Sequence, residues 1–518
     1  MLLSWLLASL PVLLLVGLMI GLRWGAARAG PAGWLAAAAV AVLAFGAGTD
    51  LLAVAQAKAF FQSLDVLLIV SSAYLLYRVV DEAGGVTALA VALPRVTPDR
   101  GLQALLIGWA YASFLQGVGG FGVPVVVTAP ILAGLGFGPI VSVVAPSVGH
   151  AWSVTFGSLG SSFQAMMSAT GIAGEVLAAP AAILLGILGL GCGAGVAWIA
   201  VGRGELRRLA VPIVAMGVVM SAVQYALAVN RLWNIAGFGG GLAGLAVGLL
   251  LARGVASRRD SGVGEPINRG DLALALAGYA ALVVITFSIV LIQPLSRALS
   301  FVSLQAEFPA TVTRLGFQIA AEPGKAIVLF RHAGAALTYS ALAAYAVYAA
   351  AGRFRSGAAG RILKTTAQGI LPSWVGISAM LSMASIMTHA GMTEAIAGGL
   401  ASAAGPAFSL VAPWMGALGA FISGSNTSSN LLFGMLQRRT AEMLGMSVAW
   451  ILAGQTAGAA VGSVVSPAKV VVGTASVSEA EAAAPEEGVV LRRLLGPAAL
   501  LVGLVSVAAL VLWLGGWL

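Results

Sequence analysis

Apolar runs long enough to cross a bilayer recur along nearly the whole chain, and they restrict it to a membrane fold. They fall at about 2–22, 32–49, 61–80, 139–160, 174–200, 209–228, 232–252, 271–293, 326–351, 366–388, 446–472 and 495–516. A helix needs roughly 18 to 20 apolar residues to span the hydrocarbon core. Only 9% of the 518 residues are charged, where a soluble chain carries about 25%. A transmembrane barrel would show short alternating segments, and these are absent. The expected class is therefore an all-α polytopic membrane protein with about 12 transmembrane helices. The bilayer is its first partner, and its place is a cytoplasmic membrane, as a multi-pass integral protein.

The net charge of +9 does not point to nucleic acid. The basic residues sit in short connections: "RWGAAR" at 23–28, Arg78 through Arg100, "RGELRR" at 203–208, "RGVASRRD" at 253–260, "RFRSGAAGRILK" at 353–364, and Arg492–Arg493. An alternating path places all of these on one side, which positive charge marks as cytoplasmic. Both termini then lie outside, as does a long loop at 296–324. The N-terminal run lacks a basic leader region and reads as a first span rather than a cleaved signal. Cys192 is the single cysteine, and the three histidines are scattered. No metal site and no cofactor are expected, apart from a coupling ion.

Two stretches resist reading as simple spans, 101–136 and 407–443. Each has two apolar arms around a Gly-rich or polar tip, "QGVGGFGVP" at 116–124 and "GSNTSSN" at 424–430. An arm of about 16 residues rises about 25 Å, short of a comfortable crossing. Irregular backbone at membrane depth is tolerated only where protein or a wet cavity surrounds it. Both stretches are expected to be re-entrant helical hairpins.

They also resemble each other. Phe114-Leu115-Gln116-Gly117 matches Phe421-Ile422-Ser423-Gly424, "LGFGP" at 135–139 matches "LGMSV" at 444–448, and "GHAWSVTFGSLGSS" at 149–162 matches "GQTAGAAVGSVVSP" at 454–467. On the topology above the two hairpins enter from opposite sides. The expected organisation is an inverted repeat: residues 1–200 with hairpin 101–136, a connecting pair of helices and cytoplasmic loop at 201–270, and residues 271–518 with hairpin 407–443. That plan recurs in secondary transporters, which bind substrate where helices break at the midplane. Arg438 and Arg439, outside on this topology, run against it.

The tip Ser425, Asn426, Thr427, Ser428, Ser429 offers hydroxyls, an amide and freed backbone N–H groups. A helix starting after the tip turns its positive end toward it. That set suits a carboxylate; the same oxygens could hold a cation, and single Ser or Thr residues also serve as helix contacts. The other tip offers Gln116 and the backbone around Gly117, Gly119, Gly120 and Gly122. His150 lies mid-span, where a titratable group can carry a proton or rest neutral on a hydroxyl; its repeat counterpart is Gln455, beside Thr456. Lys469 could pair with a substrate carboxylate or snorkel to the interface. Asp65, Arg331 and His389 lie near span ends and read as interfacial, and "SEAEAAAPEEG" at 479–488 as a solvated loop. No nucleotide fingerprint, Walker motif or catalytic triad stands out, so an enzyme is not expected.

The stretches "GAFISGSNTSSNLLFGMLQRRTAEMLG", "GSVVSPAKVVVGTASV" and "FLQGVGGFGVPVVVTAPILAGLGFGPI" resemble the L-lactate permease family, a member of the ion transporter superfamily, in order and over most of the chain. The resemblance implies symport of lactate, glycolate and similar 2-hydroxy-monocarboxylates with H⁺, inverted repeats, a mobile transport domain and a homodimer. Its hairpin tips fall on Gln116–Gly122 and Gly424–Asn430, and its Ser-Pro break on Ser466–Pro467. The family pattern has acids where this chain has Gln116 and Asn426, and an uncharged polar residue where it has Lys469. Gln116, Ser425, Asn426, Thr427 and Ser428 are expected to hold the substrate, with His150, Gln455 and Thr456 lining the cavity and His150 left as proton carrier. The alternatives are a Na⁺-coupled or other carboxylate carrier, an anion channel, and a membrane enzyme acting on lipid.

Overall fold

The computed structural model describes residues 2–22, 24–85, 97–119, 122–256, 269–324, 326–478 and 485–515. Gly120, one of the expected tip residues, lies outside them, as do residues 479–484 of the acidic stretch. The chain is a helical polytopic protein. Eleven helical stretches among the described residues are long and apolar enough to cross a membrane.

The first half comprises α1 (Leu2–Gly21), α2 (Ala26–Ala44), α3 (Thr49–Glu82), α4 (100–118), α5 (Val123–Gly134), α6 (Pro139–Gly149), α7 (Ser161–Thr170) and α8 (Gly174–Val201). Helices α9 (Leu206–Val229) and α10 (Trp233–Ala256) connect it to the second half. That half runs through α11 (Arg269–Leu291), the short α12 (Gln293–Ala298), a β ribbon, α13 (Ala333–Ala350), α14 (Ala358–His389), α15 (Met392–Ala404), α16 (Phe408–Ser423), α17 (Asn426–Met443), α18 (Val448–Val464), α19 (Pro467–Ser478) and α20 (Glu487–Leu514). Helix packing is reciprocal between the halves. Helix α2 packs on α14 and α13 packs on α3, while α5 packs on α19 and α17 on α7.

Both expected hairpins are helix–turn–helix units, α4–α5 and α16–α17. Gly424 ends α16 at φ +71°, a left-handed conformation that only glycine adopts without cost. Ser425 then caps α17, its hydroxyl oxygen accepting from the Ser428 N–H at 3.2 Å. In the other hairpin Pro124 stands in the first turn of α5, where its missing N–H costs nothing. Helix α4 carries a fully buried π-helical turn over Leu105–Tyr111.

Several boundaries differ from the sequence reading. The expected span 139–160 is a broken helix: α6 stops at Gly149, and α7 begins at Ser161. His150 therefore caps α6 rather than lying mid-helix. The span 446–472 breaks likewise before Pro467, which favours the first turn of a new helix. The 296–324 loop and the start of the expected span 326–351 hold an antiparallel ribbon of three short pairs, Ser303–Leu304 with Ile327–Val328, Glu307–Phe308 with Glu322–Pro323, and Thr311–Val312 with Gln318–Ile319. The ribbon folds back onto the membrane helices: the Arg314 N–H donates to the Gly46 carbonyl at 2.8 Å, and Thr311 bonds His389 at 3.0 Å.

Helices α16 and α18 pack closely along their length. A Cβ placed on Gly458 would lie 1.9 Å from the Pro413 carbonyl oxygen, and one on Gly462 would lie 2.0 Å from that of Ala417. Glycine there lets backbones touch, as at small-residue membrane contacts.

Candidate functional site

The tip of hairpin α16–α17 meets the break between α6 and α7. Asn426 donates from Nδ2 to Thr155 Oγ1 at 3.1 Å and to the Thr456 carbonyl at 3.4 Å. Thr456 Oγ1 contacts Asn426 Oδ1 at 3.4 Å and Thr155 Oγ1 at 3.1 Å. One turn further on, Asn430 Nδ2 donates to the Ser162 carbonyl at 3.0 Å and to Thr456 Oγ1 at 2.9 Å. Thr427 pairs with the Ser162 hydroxyl at 3.0 Å. These side chains are 8% exposed or less. They form a polar knot between elements of both halves, set in apolar surroundings.

The break itself is strained. Ser158, Leu159 and Gly160 all have positive φ, at 46°, 55° and 81°, and Leu159 is fully buried. A bulky residue held left-handed costs roughly 1 to 2 kcal/mol and persists only where its surroundings enforce it.

Gln116 approaches this break from the other hairpin. A Cβ on Gly157 would lie 2.7 Å from Gln116 Nε2, so a glycine at 157 is what admits the amide. Gln116 Oε1 is buried and has no partner among the described residues. Gly117 packs its backbone onto Phe238, and Gly119 faces Tyr77 and Val123; neither reaches the polar knot. Ser425 spends its oxygen on the helix cap. Ser429 donates to the Gly416 carbonyl at 2.8 Å and accepts from Gln455 Nε2 at 3.1 Å, so both act as helix–helix contacts. Gln455 also accepts from Gln437 at 2.5 Å.

His150 Nδ1 bonds the Pro146 carbonyl at 2.6 Å, which makes Nδ1 the protonated nitrogen. Its Nε2 is buried and has no partner among the described residues. Lys469 lies close enough to interact with it electrostatically. The Lys469 ammonium turns back to the buried Ser463 hydroxyl at 3.4 Å rather than snorkelling outward. It stands in the first turn of α19, beside the buried and unpartnered Ser466 hydroxyl.

Two residues read as interfacial are buried in the protein. Asp65 and His389 are each 2% exposed. Asp65 accepts from His332 Nε2 at 3.0 Å, from the Ser168 hydroxyl at 2.6 Å and from Gln164. An acid inside an apolar run was itself the signal for this cluster; nothing local pointed to His332, Thr155, Ser162 or Gln164. Arg331 is exposed. Arg438 and Arg439 are neutralised locally, by Glu442 and Glu394.

Paired hairpins, broken helices and a buried polar knot define a multi-pass membrane carrier, and among the described residues no metal-holding cluster occurs. The chain belongs to the L-lactate permease family, whose model matches residues 4–514. It is a transport protein of the cytoplasmic membrane and not an enzyme. It is 28% identical to the L-lactate permease of Escherichia coli strain K12, over 92% of this chain and 90% of that one. It is 26% identical to a putative L-lactate permease of Haemophilus influenzae over 96% of both chains. It is 25% identical to the glycolate permease GlcA of Escherichia coli, again over 92% and 90%. Among solved structures it is similar to the Alcanivorax borkumensis YdaH transporter, with TM-score 0.49, 16% identity, and 88% and 86% of the two chains covered.

Proposed function

We propose that this chain is a secondary symporter of small 2-hydroxy-monocarboxylates, lactate or glycolate, driven by protons. The observation that carries the reading is the convergence of the α16–α17 tip on the broken helix α6–α7. There Asn426, Thr427 and Asn430 meet Thr155, Ser162 and Thr456. Broken helices at a repeat interface are where such carriers bind substrate. The N-terminal ends of α17 and α19 and the Lys469 ammonium supply positive potential for a carboxylate. The buried amides and hydroxyls suit a 2-hydroxyl, which a site built to bond it distinguishes from an analogue lacking it. Reciprocal helix packing supports an inverted repeat, with both hairpins re-entrant and their tips near the midplane. His150, at the start of the same helix break and with an Nε2 that has no partner among the described residues, is the candidate proton carrier of this reading.

Uptake of labelled L-lactate and glycolate into proteoliposomes under an imposed pH or Na⁺ gradient tests the reading. Proton-driven uptake of either, weakened in Asn426→Ala and Gln116→Ala, is expected. Uptake that follows only Na⁺ makes this a sodium-coupled carrier. Unchanged transport in both variants removes the tips from the site, and non-saturating flux without counterflow favours a channel.

A further inference from the structure

A second titratable cluster stands beyond the tip, where α7 leans on α3. Asp65, midway along α3, lines a cavity of about 590 Å³ together with Gln164, Ser168 and the ribbon residue Glu322. The carboxylate ties together three separate elements. His332 comes from the start of α13, and Gln164 and Ser168 from α7. Gln62, one turn earlier on α3, donates to the Ser168 carbonyl at 2.6 Å. The half-helix that carries Ser162 at its other end is thus tied to α3 by one buried acid and by Gln62, beside their apolar packing.

The imidazole's protonation is set by its second bond. His332 Nδ1 accepts from the Gly334 N–H at 3.2 Å, as the cap of α13. Nε2 therefore carries the hydrogen and donates it to Asp65 Oδ1. The three partners named here all donate to Asp65, His332 to Oδ1 and Ser168 and Gln164 to Oδ2. A proton added to the carboxylate creates an O–H among these donors. His332 has no lone pair to receive it while it caps α13. Among these three partners the O–H is accepted when the Gln164 amide turns over or the Ser168 hydroxyl rotates away, and each change removes a donor bond holding α7. Loss of the proton restores the carboxylate and the three bonds.

We infer that Asp65 and His332 form the proton-binding latch of the carrier, closed on α7 when Asp65 is ionised and released when it takes up a proton. This rests on the reading of the chain as a proton-driven carrier. A ligand moves a conformational equilibrium only by binding its two states unequally, and a latch that one proton must rearrange provides that inequality. The other charged groups around it are already matched. Lys58 pairs with Glu322 on the ribbon, Glu175 with Arg231 at the start of α8, and Arg438 and Arg439 with Glu442 and Glu394. His389, at the end of α14, is bonded to Thr311.

The test uses the full chain in phosphatidylethanolamine–phosphatidylglycerol vesicles and compares two modes. Exchange of labelled for unlabelled lactate or glycolate at equal pH needs translocation without proton release, whereas net uptake under an inward proton gradient needs both. In Asp65→Asn net uptake falls at least about tenfold while exchange stays within about twofold of wild type. Net uptake retained in Asp65→Asn overturns the latch. So does loss of both modes in a protein that melts like wild type, because that marks a purely structural acid. If Asp65→Asn does not fold, His332→Gln decides: it keeps an N–H donor and cannot titrate. A shifted pH midpoint of net uptake supports the latch, and an unchanged one overturns it. If His150→Gln uncouples transport while Asp65→Asn does not, the proton site is at the helix break and the latch is overturned. Wild-type protein without exchange of either substrate fails the transport reading itself.

Discussion

Alanine at Gly458 is expected to pry the second hairpin off the helix that backs it. The new Cβ would sit 1.9 Å from the Pro413 carbonyl oxygen and 2.6 Å from its carbon. Carbon–oxygen contact needs about 3.4 Å, so α16 and α18 must separate locally by about 1.5 Å. Neither neighbour is a flexible side-chain end; both are backbone. Overpacking of this kind costs about 1 to 3 kcal/mol. The same shift stretches the Gln437–Gln455–Ser429 chain of bonds that joins α17 to α18, each worth about 0.6 kcal/mol in membrane proteins. The total is about 2 to 4 kcal/mol, spread over stability and the geometry of Thr456. Melting of purified protein in detergent, followed by tryptophan fluorescence, should fall by several degrees, with uptake reduced in parallel. Gly360→Ala is the control: no atom lies within 4 Å of its Cβ, and alanine favours helix by up to about 1 kcal/mol. A Gly458→Ala protein that melts and transports like wild type refutes the close-contact argument.

Asp99 caps α4, accepting from the Leu102 N–H at 3.0 Å, and pairs with Arg208. Its partial burial works to raise its pKa, but the bonds from Arg208 and Leu102 and the Arg208 charge outweigh it and hold the carboxyl below its usual value. A depressed folded-state pKa stabilises above the unfolded value of about 3.9 and ceases to do so as pH falls through the folded one. Asp99→Asn should therefore melt below wild type at pH 7, and the gap should close on acidification below about pH 4; a gap independent of pH counts against the ion pair. Thr456→Val deletes a hydroxyl shared by Asn430, Asn426 and Thr155 and leaves buried polar atoms unpaired, at about 1 to 3 kcal/mol. Initial uptake at low substrate should fall about tenfold or more, and unchanged uptake would remove Thr456 from the site.

The hairpins were legible because their signals are local. Gly424 before a row of hydroxyls, and Pro124 after a run of glycines, set turn and helix start without help from elsewhere. The break at Ser466–Pro467 was implied by the family resemblance alone, although proline favours a helix start there. The break at 150–160 was not implied, and "HAWSVTFGSLG" carries no proline and reads as a span. Its positive φ values at Ser158 and Leu159 are imposed by neighbours. The ribbon at 303–328 was hidden for a similar reason: its paired stretches are two residues long, too short for any alternation to register. Asp65 was visible as an acid in an apolar run, but its place near the run's start suggested an interface. Helix α3 begins twelve residues before that run, at Thr49, and this buries Asp65 deep in the protein.

The sequence by itself determined that the chain lives in a bilayer, that it crosses as helices, and that two segments are helix–turn–helix units. Each of these follows from transfer free energies and backbone preferences that belong to single residues and near neighbours. Only the tertiary structure decided which polar groups meet. Asn426 finds Thr155 across 271 positions, and Asp65 finds His332 across 267. Such pairings depend on how helices are rotated and crossed against one another. Apolar patterning specifies that each helix is buried, but leaves open which of its few polar residues will face a partner.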